Sequence, residues 1–262
     1  MSRKLNDLSI GADIFPGVLI VFVLWTAATV GIAAYVTGGD TTLEELVKSG
    51  LTWSVFTAAI IAIGAVFIFR VREEVGFTPM AADAGWILPF IAAVFVALLL
   101  LRGLTQQAFP VSQIVWICAN ALLVGISEEL MFRGLLFSGL YKRYSYWAAI
   151  IGVSILFGLV HVLNGFITGD FQSGIFQSIL ATFSGLLFMA VRIGMGSIVP
   201  AILLHWLWDF GLFINPVSSW PDSESMTGLD TAVSLVAVTG PVVFGILGTI
   251  ALFRLRKRLS PQ

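Results

Sequence analysis

The stretch Glu128-Glu129-Leu130-Met131-Phe132-Arg133-Gly134 sets two carboxylates and a guanidinium within six residues of an otherwise apolar text. An ionisable side chain at the centre of a bilayer costs roughly 2.5–3.5 kcal/mol on insertion scales. Three together are held there for a purpose. On a helix, Glu129 and Arg133 are i,i+4 neighbours and can pair on one face. Glu128 lies about 100° around the axis from Glu129 and is left to point elsewhere. The two histidines of the chain, His161 and His205, also fall in apolar runs. Phe157 stands four residues before the first, and Asp209 four residues after the second, so each pair shares a helical face. Carboxylates and imidazoles away from water suit three kinds of work: general base catalysis, metal ligation and proton relay.

The elements that must position these groups are membrane helices. Of 262 residues, 58% are hydrophobic and 11% charged, where soluble domains carry about 25% charged residues. The expected fold is all-α, a polytopic membrane protein of about eight transmembrane helices forming a single domain over 1–262. The spans read as roughly 15–37, 52–69, 82–101, 111–138, 146–163, 171–191, 197–214 and 231–253, each near the ~20 residues a bilayer requires. Pro89 interrupts the third, and Pro200 stands in the first turn of the seventh. Between the first two spans, Thr42 and Glu45 form a capping box, with apolar Leu43, Leu46 and Val47 predicting a short helix on the membrane surface. Cys118 has no partner for an intrachain disulfide. A net charge of −1 with no basic block before the C-terminus gives no footing for nucleic acid.

Basic residues orient the drawing. Arg3, Lys4, Arg70, Arg72, Lys142, Arg143, Arg192, Arg254, Arg256, Lys257 and Arg258 fall on one side, and only Lys48 and Arg102 on the other. The positive-inside rule then places both termini in the cytoplasm. Glu128, Glu129, Arg133, His161, His205 and Asp209 remain inside the membrane, on the fourth, fifth and seventh spans. At 1.5 Å per residue, Glu128 lies ~22 Å and His161 ~27 Å from Arg143, and His205 ~20 Å from Arg192. These depths agree within about a turn, so one common site is allowed. Gly125, Gly134, Gly152, Ser154, Gly158, Ser184 and Gly185 surround the site and permit close helix approach.

Glu128-Glu129-x-x-x-Arg133, then Phe157-x-x-x-His161, then His205-x-x-x-Asp209, resembles the three-motif signature of the CAAX-protease and bacteriocin-processing (CPBP) family. That group of intramembrane proteases includes prenyl-protein endopeptidases of the Ras-converting type and abortive-infection proteins. The resemblance covers about residues 115–214. It implies an intramembrane endopeptidase that hydrolyses a peptide bond with glutamate-activated water and no cofactor. Glu128 is then the base, His161 holds or shares the water, and His205 with Asp209 stabilises the oxyanion. Glu129, Arg133 and Phe157 support them. The family often has Asn where this chain has Asp209, and an ionised aspartate cannot donate to an oxyanion; it acts either protonated or by positioning His205.

The implied partners are the lipid bilayer and a membrane-associated protein or peptide, prenylated or bacteriocin-type. The expected location is the plasma membrane of a bacterium or archaeon. Zinc held by Glu128, His161, His205 and Asp209 is the alternative mechanism, although no His-Glu-x-x-His helix is present. A non-proteolytic immunity or scaffold protein, and a proton-coupled transporter, are the alternative functions. The three intact motifs oppose the former, and the lack of an inverted repeat opposes the latter.

Overall fold

The computed structural model describes residues 9–11, 14–81, 85–106, 108–215 and 225–259, which are mainly helical, with no strand among them. Both chain ends, on which the expectation of cytoplasmic termini falls, lie outside the described residues. Six helices are long and apolar enough to cross a bilayer: α1 (Phe15–Thr37), α5 (Ile87–Gln106), α6 (Val111–Tyr141), α7 (Tyr146–Thr168), α8 (Phe171–Met195) and α10 (Gly228–Arg258). Two shorter apolar helices complete the set, α3 (Trp53–Ile68) and α9 (Val199–Phe213). The chain is thus a polytopic membrane protein, and these eight correspond to the eight expected spans. Two small helices, α2 (Leu43–Lys48) and α4 (Arg72–Val75), occupy the connections on either side of α3.

Local chemistry sets the boundaries. Thr42 caps α2 by accepting a hydrogen bond from the Glu45 backbone N–H at 3.0 Å, as its capping box foretells. Ser145 caps α7 through the Ala148 N–H, and Asp170 caps α8 through the Ser173 N–H at 3.0 Å. Hydrogen bonds from the Ser173 side chain and backbone hold the Asp170 carboxyl below its usual range. This cap therefore contributes above the ordinary aspartate range and is lost as pH falls through the lowered value. Left-handed glycines end α1 at Gly38 and α8 at Gly196, a backbone region closed to most side chains. Pro89 does not interrupt its span. It stands third in α5, in the first turn, where no intrahelical N–H is needed.

The layers are set by α8, which packs along both α7 and α10. Helix α9 packs against α6 and α5, and α3 sits between α1 and α6. Small residues make the closest contacts possible. A Cβ on Gly158 of α7 would lie 2.5 Å from the Ser178 carbonyl oxygen of α8, and one on Gly125 of α6 would lie 3.1 Å from the Ile202 carbonyl of α9. Gly152 was grouped with these, but nothing lies within 4 Å of where its Cβ would be. Its neighbours Ile151, Ile155 and Leu159 form an exposed stripe, so this face of α7 is turned toward lipid.

Two charges lie elsewhere than expected. Arg102 is not an exposed loop residue; it is fully buried on α5 and bonds Asp230 of α10 at 2.7 Å and Asn215 at 2.8 Å. Asn215 in turn donates to the carbonyls of Leu99 and Gly211, tying the end of α9 to α5. Arg192 is also fully buried and donates to the backbone carbonyls of Val75 and Glu74. The third and eighth spans therefore carry ionisable groups after all, joined in an ion pair.

The Gly158 contact generates a paired expectation. Gly158→Val should overpack the α7–α8 contact and cost about 1–3 kcal/mol, read as a lower melting temperature of the detergent-solubilised protein. Gly152→Val, which meets open space, should melt as the native chain does.

Candidate active site

Helix α6 delivers both glutamates, and its backbone changes immediately after them. Residues Leu130–Leu136 form a π-helical stretch, every one of them buried. Such wide turns recur at functional sites because they re-aim side chains without ending the helix. Glu129 and Arg133 are both fully buried and pair at 2.9 Å (Glu129 Oε1 to Arg133 Nη1). The expected pair is therefore present. The same Glu129 oxygen also accepts a hydrogen bond from His205 Nδ1 at 2.7 Å. Sequence reasoning assigned Glu129 to Arg133 alone and did not anticipate that second bond.

Aromatic rings complete the cage. The Arg133 guanidinium lies 3.9 Å from the Phe157 ring centroid and 5.3 Å from that of Phe188. Phe188 stacks on His205 at 4.7 Å with the planes 14° apart, and Phe157 meets His205 edge-on at 5.9 Å. Phe132 packs edge-on against both Phe157 and Trp25, and Trp25 donates to Ser127 on α6 at 2.6 Å. Gly185 keeps α8 out of the way: a Cβ there would come within 3.3 Å of Arg133 Nη2. Phe188 and Trp25 carried no distinguishing signal, because each is one aromatic among many in apolar helices.

The ring nitrogens differ in what they offer. His161 Nδ1 is 2.8 Å from the Phe157 carbonyl. A carbonyl only accepts, so Nδ1 carries the proton, and in the neutral ring Nε2 is left with its lone pair. His205 turns Nε2 toward two carboxylates, Glu128 Oε2 at 3.6 Å and Asp209 Oδ2 at 3.4 Å. Glu128 Oε2 is buried and has no hydrogen-bond partner, an arrangement that costs free energy unless something comes to fill it.

Glu128, His161 and Asp209 line one cavity of about 200 Å³ with Trp25 and Thr26 of α1 and Gln177 of α8. His161, His205 and Asp209 line a second of about 110 Å³ beside Phe188 and Pro241. All seven residues singled out from the sequence thus meet in one region. Glu129 and Arg133 form its buried support, and Glu128, Phe157, His161, His205 and Asp209 line the two cavities. Among the described residues no three His, Cys, Asp or Glu side chains are grouped so as to hold a metal ion.

Residues 110–211, which contain all three motifs, match the family model described as type II CAAX prenyl endopeptidase Rce1-like. Over this segment the chain is similar to the Rce1-like group of the CPBP family. Neither the curated proteins nor the solved structures gave a match. The matched segment begins at the entrance to α6 and ends within α9, so α1, α3, α5 and α10 are packed around it.

The shared Glu129 oxygen separates the two glutamates experimentally. Glu129→Gln strands the Arg133 charge in a buried site and should destabilise the protein by about 3–5 kcal/mol, lowering both abundance and melting temperature. Adding Arg133→Met should recover much of that stability, because no buried charge then lacks its partner.

Proposed function

We propose that the chain is an intramembrane endopeptidase that hydrolyses a peptide bond of a membrane-associated polypeptide with glutamate-activated water. The observation that carries this reading is His205, gripped through Nδ1 by Glu129 while Nε2 faces Glu128 and Asp209 at the cavities. The Rce1-like match supports the reaction class.

Glu128 takes a proton from water as the oxygen attacks the substrate carbonyl carbon. The Nε2 lone pair of His161 accepts a hydrogen bond from that water and fixes its direction. The carbonyl π pair moves onto oxygen, giving a tetrahedral oxyanion. His205, with both ring nitrogens protonated, donates from Nδ1 to Glu129 and from Nε2 to the oxyanion. Glu128 then gives its proton to the departing amine as the C–N bond breaks. Donors fixed in advance at a developing charge are often the largest single contribution to such catalysis. The Arg133 contacts and the stacked Phe188 supply that fixity here.

Asp209 fits the donor role better than the positioning role. Glu129 already orients the His205 ring from the Nδ1 side, whereas Asp209 lies on the Nε2 side with the reacting atoms.

Three measurements follow, using any substrate the protein cleaves. Glu128→Gln should abolish cleavage while abundance and melting stay near native values; retained turnover per folded molecule refutes the base assignment. Asp209→Asn should keep or raise the rate, and Asp209→Ala should lose on the order of 10²–10³. An Asn variant as inactive as the Ala variant rules out the donor role. The purified protein should tolerate strong chelators over long incubation. About one zinc per chain, lost and restored together with activity, would replace the glutamate–water mechanism with a metal one.

A further inference from the structure

The larger cavity has a direction. From Glu128, His161 and Asp209 it runs to Leu43 and Leu46 of α2. The depth of the site points the same way. Asp209 stands four residues before Phe213, the end of α9, and His161 seven before Thr168, the end of α7. At 1.5 Å per residue these are about 6 Å and about 10 Å, against about 22 Å from His161 back to Tyr146. Helix α2 and these two helix ends share one end of the bundle. The exposed basic residues share the other: Arg70 and Arg72 after α3, Lys142 and Arg143 after α6, and the Arg254–Arg258 run that closes α10. At the α2 end, Lys48 is neutralised by Glu44 at 3.2 Å and Glu45 at 2.8 Å, and Arg102 is buried against Asp230.

Basic loops are retained on the cytoplasmic side of a membrane. We infer that the substrate enters from the opposite, extracytoplasmic face, beneath α2, as an extended apolar segment of a membrane-associated polypeptide. This inference rests on the endopeptidase reading for what happens at the site, and on charge and cavity shape alone for the route. A chain end presented from the cytoplasm, the face on which cytosolic lipidated proteins lie, would meet the basic end, where this cavity does not open. The cavity wall also suits an extended backbone. Asn164 Nδ2 donates to Gln177 Oε1 at 2.9 Å, leaving Asn164 Oδ1 to accept from a substrate N–H and Gln177 Nε2 to donate to a substrate carbonyl. An extended chain offers both groups at every residue.

Lysine labelling of the native chain in intact cells tests the route without mutation. A membrane-impermeant amine reagent should modify Lys48, and should reach Lys142 and Lys257 only after the membrane is opened. Labelling of Lys142 or Lys257 from outside, with Lys48 protected, overturns the inference. The second arm uses Leu46→Cys in a Cys118→Ala background. A bulky impermeant maleimide applied from outside should modify it and reduce cleavage at least tenfold. Modification without loss of cleavage overturns the route, as does blockage only from the cytoplasmic side. Gln177→Leu should raise KM about tenfold, the scale of one hydrogen bond, with kcat within about twofold. The labelling is repeated in Glu128→Gln, where the pattern should be unchanged, so a failed protease reading and a failed entry route give different results.

Discussion

One carboxylate oxygen of Glu129 holds two partners, Arg133 on its own helix and His205 on α9. Buried carboxylates are costly to desolvate, and the mutual attraction of a pair offsets that cost only where geometry is tight and further hydrogen bonds are made. Here the second bond is the one that matters for the site. It fixes which nitrogen of His205 is committed to the protein and which is presented to the cavities. The ion pair on α6 and the ring on α9 are therefore a single unit, and the close α6–α9 approach at Gly125 is what lets the bond span two helices.

Phe157 plays the corresponding part for the other histidine. Its backbone carbonyl accepts a hydrogen bond from His161 Nδ1, and its ring lies under the Arg133 guanidinium. A cation over an aromatic face is worth more when both are desolvated, and Phe157 is almost wholly buried. One residue thus sets the tautomer of one histidine and walls in the arginine that supports the other. Two further arginines use a similar economy. Arg102 and Arg192 are buried against side-chain and backbone oxygens, and they tie connecting segments to the bundle rather than serve the site.

Much of this was legible in the sequence. Apolar run length gave the eight helices, and motif spacing brought all seven candidate residues to one region. The i,i+4 rule gave the Glu129–Arg133 pair. What it did not give is contact between helices. Nothing in the spacing of Glu129 and His205, 76 residues apart, says that they bond. Arg102 reads as a loop charge because it stands just past an apolar run, and Asp230, just before another, draws no notice. A shift of about five residues, from 101 to Gln106 at the end of α5, turns a loop charge into a buried one. The π-helical stretch after Glu129 was invisible too, since its residues are ordinary helix formers and the wide turn is imposed by packing around it.

Helix α9 carries both His205 and Asp209, yet it has only 15 residues, about 22 Å of rise against a hydrocarbon thickness of about 30 Å. Its neighbours α7 and α8, with 23 and 25 residues, match or exceed that thickness. A helix this short beside long ones creates local hydrophobic mismatch, which a bilayer accommodates by thinning, and α3, at 16 residues, is short as well. Headgroups and their water are thereby drawn toward the level of Asp209. On the proposed endopeptidase reading, the lipid beside α9 would bring the second reactant, water, down toward residues that the rest of the fold keeps dry.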